Sequence, residues 1–186
     1  MIQKSSVLLL ILTAVPTAGA VGANDGLDHI EVFAGGEAGY PTYRIPAIAT
    51  TPRGTVLAFA EGRAARDDHA RNDIVLKRSH DQGASWGPVQ VIAQDGTNAL
   101  NNPCVAVLPG SGRVLLMFQH YPESTGGERG ALPGHRGDRV CRNILVTSDD
   151  DGATWSECRD ITASTKRPEY VTSVASGPGR VGASVH

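Results

Sequence analysis

The amino-acid sequence predicts an all-β fold, and within that class a β-propeller. Three observations carry this reading. An eight-residue pattern occurs twice, at Ser79–Trp86 and Ser148–Trp155; both copies read Ser-x-Asp-x-Gly-x-Ser/Thr-Trp, and they lie 69 residues apart. A pattern returning after a long interval marks stacked copies of one supersecondary unit. Short apolar runs recur at Ile30 to Phe33, Thr55 to Ala60, Ile74 to Leu76, Val89 to Ala93, Val105 to Leu108, Val114 to Phe118 and Ile144 to Thr147. Short strands at regular spacing belong to sandwiches, barrels or propellers, and the repeat favours the propeller. The chain also carries 22 glycines and 11 prolines in 186 residues, which suits many tight turns.

Each element has a local reason. Val56 to Ala60 and Val114 to Phe118 are continuously apolar, as strands covered on both faces are. Pro52-Arg53-Gly54, Asp81-Gln82-Gly83, Pro109-Gly110-Ser111-Gly112 and Asp151-Gly152 supply turns between the runs. In the repeated pattern, Asp81 and Asp150 accept hydrogen bonds from backbone N–H groups further on. Gly83 and Gly152 supply a positive φ. Trp86 and Trp155 pack under their turns. Ser79 and Ser148 complete what reads as a structural hairpin clamp. The alternating acids and terminal Glu of an EF-hand are absent, so no calcium loop is expected. Ser124 to Arg139 has no apolar pattern and reads as an exposed insertion.

The N-terminus is of another kind. Lys4 precedes the apolar run Val7 to Val15, and small residues follow at Pro16 to Ala20. This is the pattern of a secretory signal peptide over residues 1–23, with cleavage after Ala20 or Ala23. The run is shorter than the roughly 20 residues that span a bilayer as a helix, and no other stretch is long enough. The formal net charge of −2 gives no support for binding nucleic acid. Cys104, Cys141 and Cys158 lack zinc-ligand spacing and read as structural, with either one bridge or none. No cofactor or metal is expected.

Several residues could carry chemistry. Arg44 lies in Tyr43-Arg44-Ile45-Pro46, where Pro46 biases Ile45 toward an extended backbone. A guanidinium there is either an exposed side chain or a fork for a carboxylate. Glu61-Gly62-Arg63 ends an apolar strand, and the loop after it contains Arg66-Asp67-Asp68-His69. The loop is either a solvated connection or the seat of a carboxyl that can protonate a leaving oxygen. His69 reads as an exposed loop residue. Asn101-Asn102-Pro103 precedes another strand and could present amides to a ligand.

Taken in order, Tyr-Arg-Ile-Pro, Glu-Gly-Arg, the Asp-containing loop and the two Ser-x-Asp-x-Gly-x-Ser/Thr-Trp copies resemble the exo-sialidases, whose Asp boxes have this pattern. Asn102-Pro103 and Ser176-Gly177-Pro178-Gly179 fall where that family has similar segments. The resemblance implies a six-bladed propeller, of which residues 24–186 would form the N-terminal part, about three blades. It implies that sialylated glycans are the partners. Arg44 would be the first of three arginines gripping the sialic acid carboxylate, Arg63 a contact near the sugar's O4, and Asn102 a residue near the N-acetyl group. The family places its acid/base Asp ten residues before the basic residue that abuts the box, Arg78, hence at Asp68. Asp73 then falls on a structural position. The nucleophilic Tyr, its Glu and the other two arginines would lie further downstream, and Glu169 and Tyr170 are not given those roles. Two alternatives stand beside a catalytic sialidase: a non-catalytic Asp-box propeller that binds glycan or protein, and an inactive remnant.

Overall fold

Among the described residues, eight strands follow one another as two four-stranded antiparallel meanders. In the first, β1 (Thr42–Thr50), β2 (Val56–Arg63), β3 (Asn72–Ser79) and β4 (Gln90–Ala93) pair in sequence order. In the second, β5 (Ala99–Val107), β6 (Val114–Tyr121), β7 (Arg142–Ser148) and β8 (Arg159–Asp160) do the same. A single parallel bridge, Asn72 to Ala99, joins the two. These are two propeller blades. The computed structural model describes residues 29–126 and 128–172. Of the N-terminal unit, Met1–Ile30, only His29 and Ile30 are described, and neither lies in a helix or strand. The signal-peptide pattern and the Ser176–Gly179 segment lie outside the described residues. Two blades, where about three were expected, are present among the described ones.

The strand registers reveal how closely the blades repeat. Arg44 faces Glu61, and Glu61 faces Ile74; in the second blade Asn101 faces Gln119, and Gln119 faces Asn143. The offset between equivalent residues is therefore 57 on the first strand, 58 on the second and 69 on the third. Nearly all the extra chain sits in the connection from β6 to β7, the expected insertion. That loop is less exposed than its composition suggested. It contains two 3₁₀ turns (Glu123–Thr125 and Glu128–Gly130), and Thr125, Ala131 and Val140 are buried.

The inner strands carry a bulge at matching places, between Arg44 and Ala47 and between Asn101 and Cys104. Ile45 has φ +52° and Asn102 has φ +56°, and a proline follows each. This corrects the expectation that Pro46 holds Ile45 extended. Proline cannot donate to the ladder, so the bulge absorbs it, and the residue before it turns into the left-handed region. That conformation is strained for a β-branched side chain and persists where the flanking register over-determines it.

Alternation on β2 builds the interior. Leu57, Phe59, Glu61 and Arg63 share one face under period-two geometry, and all four are buried. Leu57 and Phe59 join Ile74, Leu76, Leu116, Phe118 and Val146 in a core that spans both blades. On the opposite face Gly62 leaves room for Tyr40, whose ring atoms lie 3.0 Å from where a Cβ would stand. Strand β1 has no long apolar run and was missed as an apolar segment. Ile30 to Phe33 is not a strand; the Phe33 ring packs on Tyr43 with centroids 5.1 Å apart.

The two Asp boxes share one hydrogen-bond plan. The Ser79 hydroxyl accepts from Gly83 N at 2.8 Å, and Asp81 accepts from Ser85 N at 2.8 Å and from its hydroxyl at 2.5 Å. Ser148, Asp150 and Thr154 repeat this at 2.9, 2.8 and 2.5 Å. The neighbouring hydroxyls of Ser85 and Thr154 hold both carboxyls down to about 2. Gly83 and Gly152 have φ of +94° and +77°. Trp155 donates to the Gly152 carbonyl at 3.2 Å and lays its ring edge-on to Phe59 at 5.8 Å. A Cβ on Gly152 would meet Leu57 at 3.1 Å, so the second box plugs its blade into the first. Cys104 is half-buried and Cys158 exposed, both free; buried Cys141 offers its carbonyl to Lys166 Nζ at 2.7 Å.

Candidate active site

The polar ends of β1, β2 and β5 converge with the β2–β3 loop around a cleft of about 230 Å³. Arg44, Arg63, Asp68 and Asn102 all line it, as do Glu61, His69, Asn101 and Tyr121. The four residues selected from sequence, 58 positions apart at their extremes, thus meet in one place.

Glu61 is the hub. Its side chain is fully buried, and Oε2 accepts from Arg63 Nε at 2.8 Å and from Arg63 Nη2. Its other oxygen accepts the Asn102 N–H at 2.7 Å, from the bulge of the next blade. Burial pushes the Glu61 carboxyl up, against the pull of the Asn102 N–H and the Arg63 guanidinium. Burial alone would lower Arg63; its hydrogen bonds to Asp68 and Glu61 outweigh this and raise it. A buried charge needs such complete pairing to be tolerated.

Asp68 stands at the cleft mouth. Its Oδ1 accepts from Arg44 Nη1 and from Arg63 Nη1, each at 2.6 Å. The Arg63 hydrogen bond, more than Arg44, holds its carboxyl below the usual range. Its carbonyl is fixed by Asn72 Nδ2 and Asn101 Nδ2, both at 2.9 Å, so the loop position is built from two blades. Asp67 does something different: it is exposed and accepts the His69 N–H at 2.7 Å, closing the local turn. Asp73 is buried and takes the Tyr40 hydroxyl at 2.8 Å and Arg71 at 2.9 Å. Asn102 gives its side-chain amide to Gln119 at 2.7 Å. His69 is not an exposed loop residue; its ring packs against Tyr121 at 5.6 Å and its Nδ1 is buried.

Sequence reading offered Asn101 beside Asn102 as an amide for a ligand, and missed Glu61, His69 and Tyr121 as cleft residues. The signal for Glu61 was available, since alternation on β2 puts it on the same face as Arg63. For the others, only the meeting of two blades brings them in.

This geometry can be set beside known proteins. A BNR repeat-like domain model matches residues 54–182. Over 137 residues the chain is 37% identical to a sialidase of Micromonospora viridifaciens, covering 69% of this chain and 20% of the relative. The chain belongs to the sialidase family. Human Sialidase-4 is 36% identical over 133 residues, covering 65% of this chain and 25% of the relative. Among solved structures, the Hadza microbial sialidase Hz136 superposes with a TM-score of 0.67 at 30% identity, over 72% of this chain and 29% of that one. The intramolecular trans-sialidase from Ruminococcus gnavus shares the fold, with a TM-score of 0.67 at 15% identity over 75% of this chain and 52% of that one. The chain spans about a fifth to a quarter of the length of the curated sialidases just named.

Proposed function

We propose that the cleft is part of an exo-α-sialidase site, in a protein that hydrolyses terminal sialic acid from glycoproteins, glycolipids and oligosaccharides. The observation that supports this most is the convergence of Arg44, Arg63 and Asp68 on one cleft in a sialidase-family propeller. Sialic acid carries a carboxylate on its anomeric carbon. Arg44, half-exposed at the mouth, presents a guanidinium fork suited to that group. Arg63, rigid on Glu61, would face the sugar's O4, and Asn102 would stand on the N-acetyl side.

Asp68 is the acid/base in this reading. As the glycosidic C–O bond breaks, its electron pair goes to the leaving oxygen, which takes the Asp68 proton. Asp68, again ionised, then takes a proton from the incoming water. Sialidases use a tyrosine nucleophile in place of the usual carboxylate; no residue of this chain is assigned that part. The carboxylate–arginine contact would also stabilise a positively charged transition state near the anomeric carbon.

The Val7–Val15 apolar run and the small residues after it support export from the cytoplasm. Among the described residues, no helix is long and apolar enough to cross a membrane.

The test is turnover of a fluorogenic sialoside by the full-length protein that carries these residues. Asp68→Ala should lower kcat/KM by about 10²–10⁴, the usual worth of a positioned acid/base. Unchanged turnover in Asp68→Ala removes the assignment. Sialoside binding with no turnover in either form supports a non-catalytic glycan-binding propeller instead.

A further inference from the structure

Asp68 and Arg44 are both placed to meet a ligand, yet in the free protein they hold each other. One oxygen, Asp68 Oδ1, takes the N–H groups of two arginines at 2.6 Å. The two arginines are not equivalent. Arg63 has a side chain 1% exposed and is pinned through two further N–H groups to Glu61. It cannot turn away. Arg44 is 47% exposed and Asp68 is 58% exposed, so their contact is open to solvent. An exposed pair of this kind is weak against competing anions. It is also monodentate, whereas an external carboxylate can engage the Arg44 fork with both oxygens.

We propose that Asp68 is a specificity-determining residue as well as the acid/base: its carboxylate stands in for the substrate carboxylate on Arg44, and only an anionic ligand that takes Arg44 releases Asp68 to accept a proton. This rests on the sialic acid reading of the cleft. The exchange is one-sided. Asp68 keeps its Arg63 contact and its backbone tether to Asn72 and Asn101, so it stays in place while losing one of its two cationic partners.

The charged and titratable groups around Asp68 are Arg44 from β1, Glu61 and Arg63 from β2, Asp67 and His69 from its own loop, and Tyr121 from β6. Asn101 and Asn102 from β5 are neutral. A bound carboxylate adds one negative charge to this set and removes the Arg44 hydrogen bond. Both changes favour the protonated form of Asp68, which takes its proton from bulk water. A neutral sugar does neither. Selection for acidic sugars would then act on the readiness of the acid as well as on binding.

The experiment follows the Asp68 carboxyl carbon by ¹³C NMR, assigned with Asp68→Asn. The titration is run in the free chain, with N-acetylneuraminic acid, and with its uncharged methyl ester. The acid should raise the Asp68 midpoint by about half a pH unit or more, and the ester should leave it unmoved. Arg44→Ala should raise the midpoint without ligand and abolish the response to the acid. Binding of the acid with an unmoved midpoint overturns the proposal while leaving the sialic acid reading intact. Absence of binding overturns the proposal through that reading. An unmoved midpoint in free Arg44→Ala overturns the claim that the pair matters in the resting site.

Discussion

The two blades are copies of one scaffold that differ where the chemistry is. Both have an inner strand with a pre-proline bulge, at Ile45-Pro46 and Asn102-Pro103, and both close with an Asp box. At equivalent positions the first blade carries Arg44, Glu61 and Arg63, and the second carries Asn101, Gln119 and Tyr121. Even the local wiring is shared. Arg63 donates to Glu61 two residues earlier, and the Tyr121 hydroxyl reaches Gln119 two residues earlier at 3.3 Å. The first blade thus holds a charged cluster where the second holds neutral donors and acceptors. The scaffold fixes positions, and side-chain exchange at those positions makes one blade the ionic wall of a cleft and the other its polar wall.

The comparison can be broken most sharply at Glu61. Glu61→Ala leaves the Arg63 charge buried beside only Asp68 and should cost about 3–5 kcal/mol of stability. Gln119→Ala, at the equivalent place, removes a neutral acceptor and should cost about 1–3 kcal/mol. Urea denaturation of both variants measures the difference; equal losses would mean that charge at this position is incidental.

Next come the box tryptophans. Trp155 is wedged against Phe59 of the other blade and hydrogen-bonded, so Trp155→Ala should cost about 3 kcal/mol. The Trp86 indole N–H has no hydrogen-bond partner among the described residues, and Trp86→Ala should cost about 1–2 kcal/mol. The same denaturation series ranks them.

The bulges should respond with opposite sign. Ile45→Gly relieves a β-branched residue at positive φ and should leave stability unchanged or raise it by up to about 1 kcal/mol. Asn102→Gly gives up the amide bond to Gln119 and should lower it by about 1 kcal/mol.

The smallest effect is shared by the blades. Asp81 and Asp150 sit at about 2 against an ordinary 3.8, so the folded state binds protons less readily than the unfolded one. Their stabilising contribution is complete above about pH 4 and is lost as pH falls through 2. Melting temperatures of the Asp81→Asn, Asp150→Asn double variant should fall less steeply across that window than those of the parent.

Much of this was legible in the sequence because it is local. The Asp boxes declare themselves: each needs a hydroxyl, a carboxylate and a glycine at fixed spacing, and all their bonds lie within a few residues. The continuous apolar run of β2 announces a strand buried on both faces; that of β6 announces a strand too, but Leu115 and Met117 on its second face are only partly buried. Arg44, Arg63 and Asp68 could be selected by ordered motifs. Other features depend on long-range register. The start of β5 at Ala99 was hidden because Asn101 and Asn102 are polar for the sake of the cleft, and polar residues hide a strand. The left-handed Ile45 ran against the local preference set by Pro46, and only the bulged pairing with β2 imposes it. Glu61 gains its role from Asn102, 41 residues away across the blade interface.

If Arg44 is the carboxylate fork proposed for a sialic acid site, loss of its guanidinium must weaken the hold on that carboxylate. Calorimetric titration of N-acetylneuraminic acid into the wild-type chain and into Arg44→Ala tests it most directly. A charged hydrogen-bonded contact is worth about 1.5–3 kcal/mol, so affinity should fall by about 10- to 100-fold in the variant. Equal affinity in the two proteins would contradict the claim.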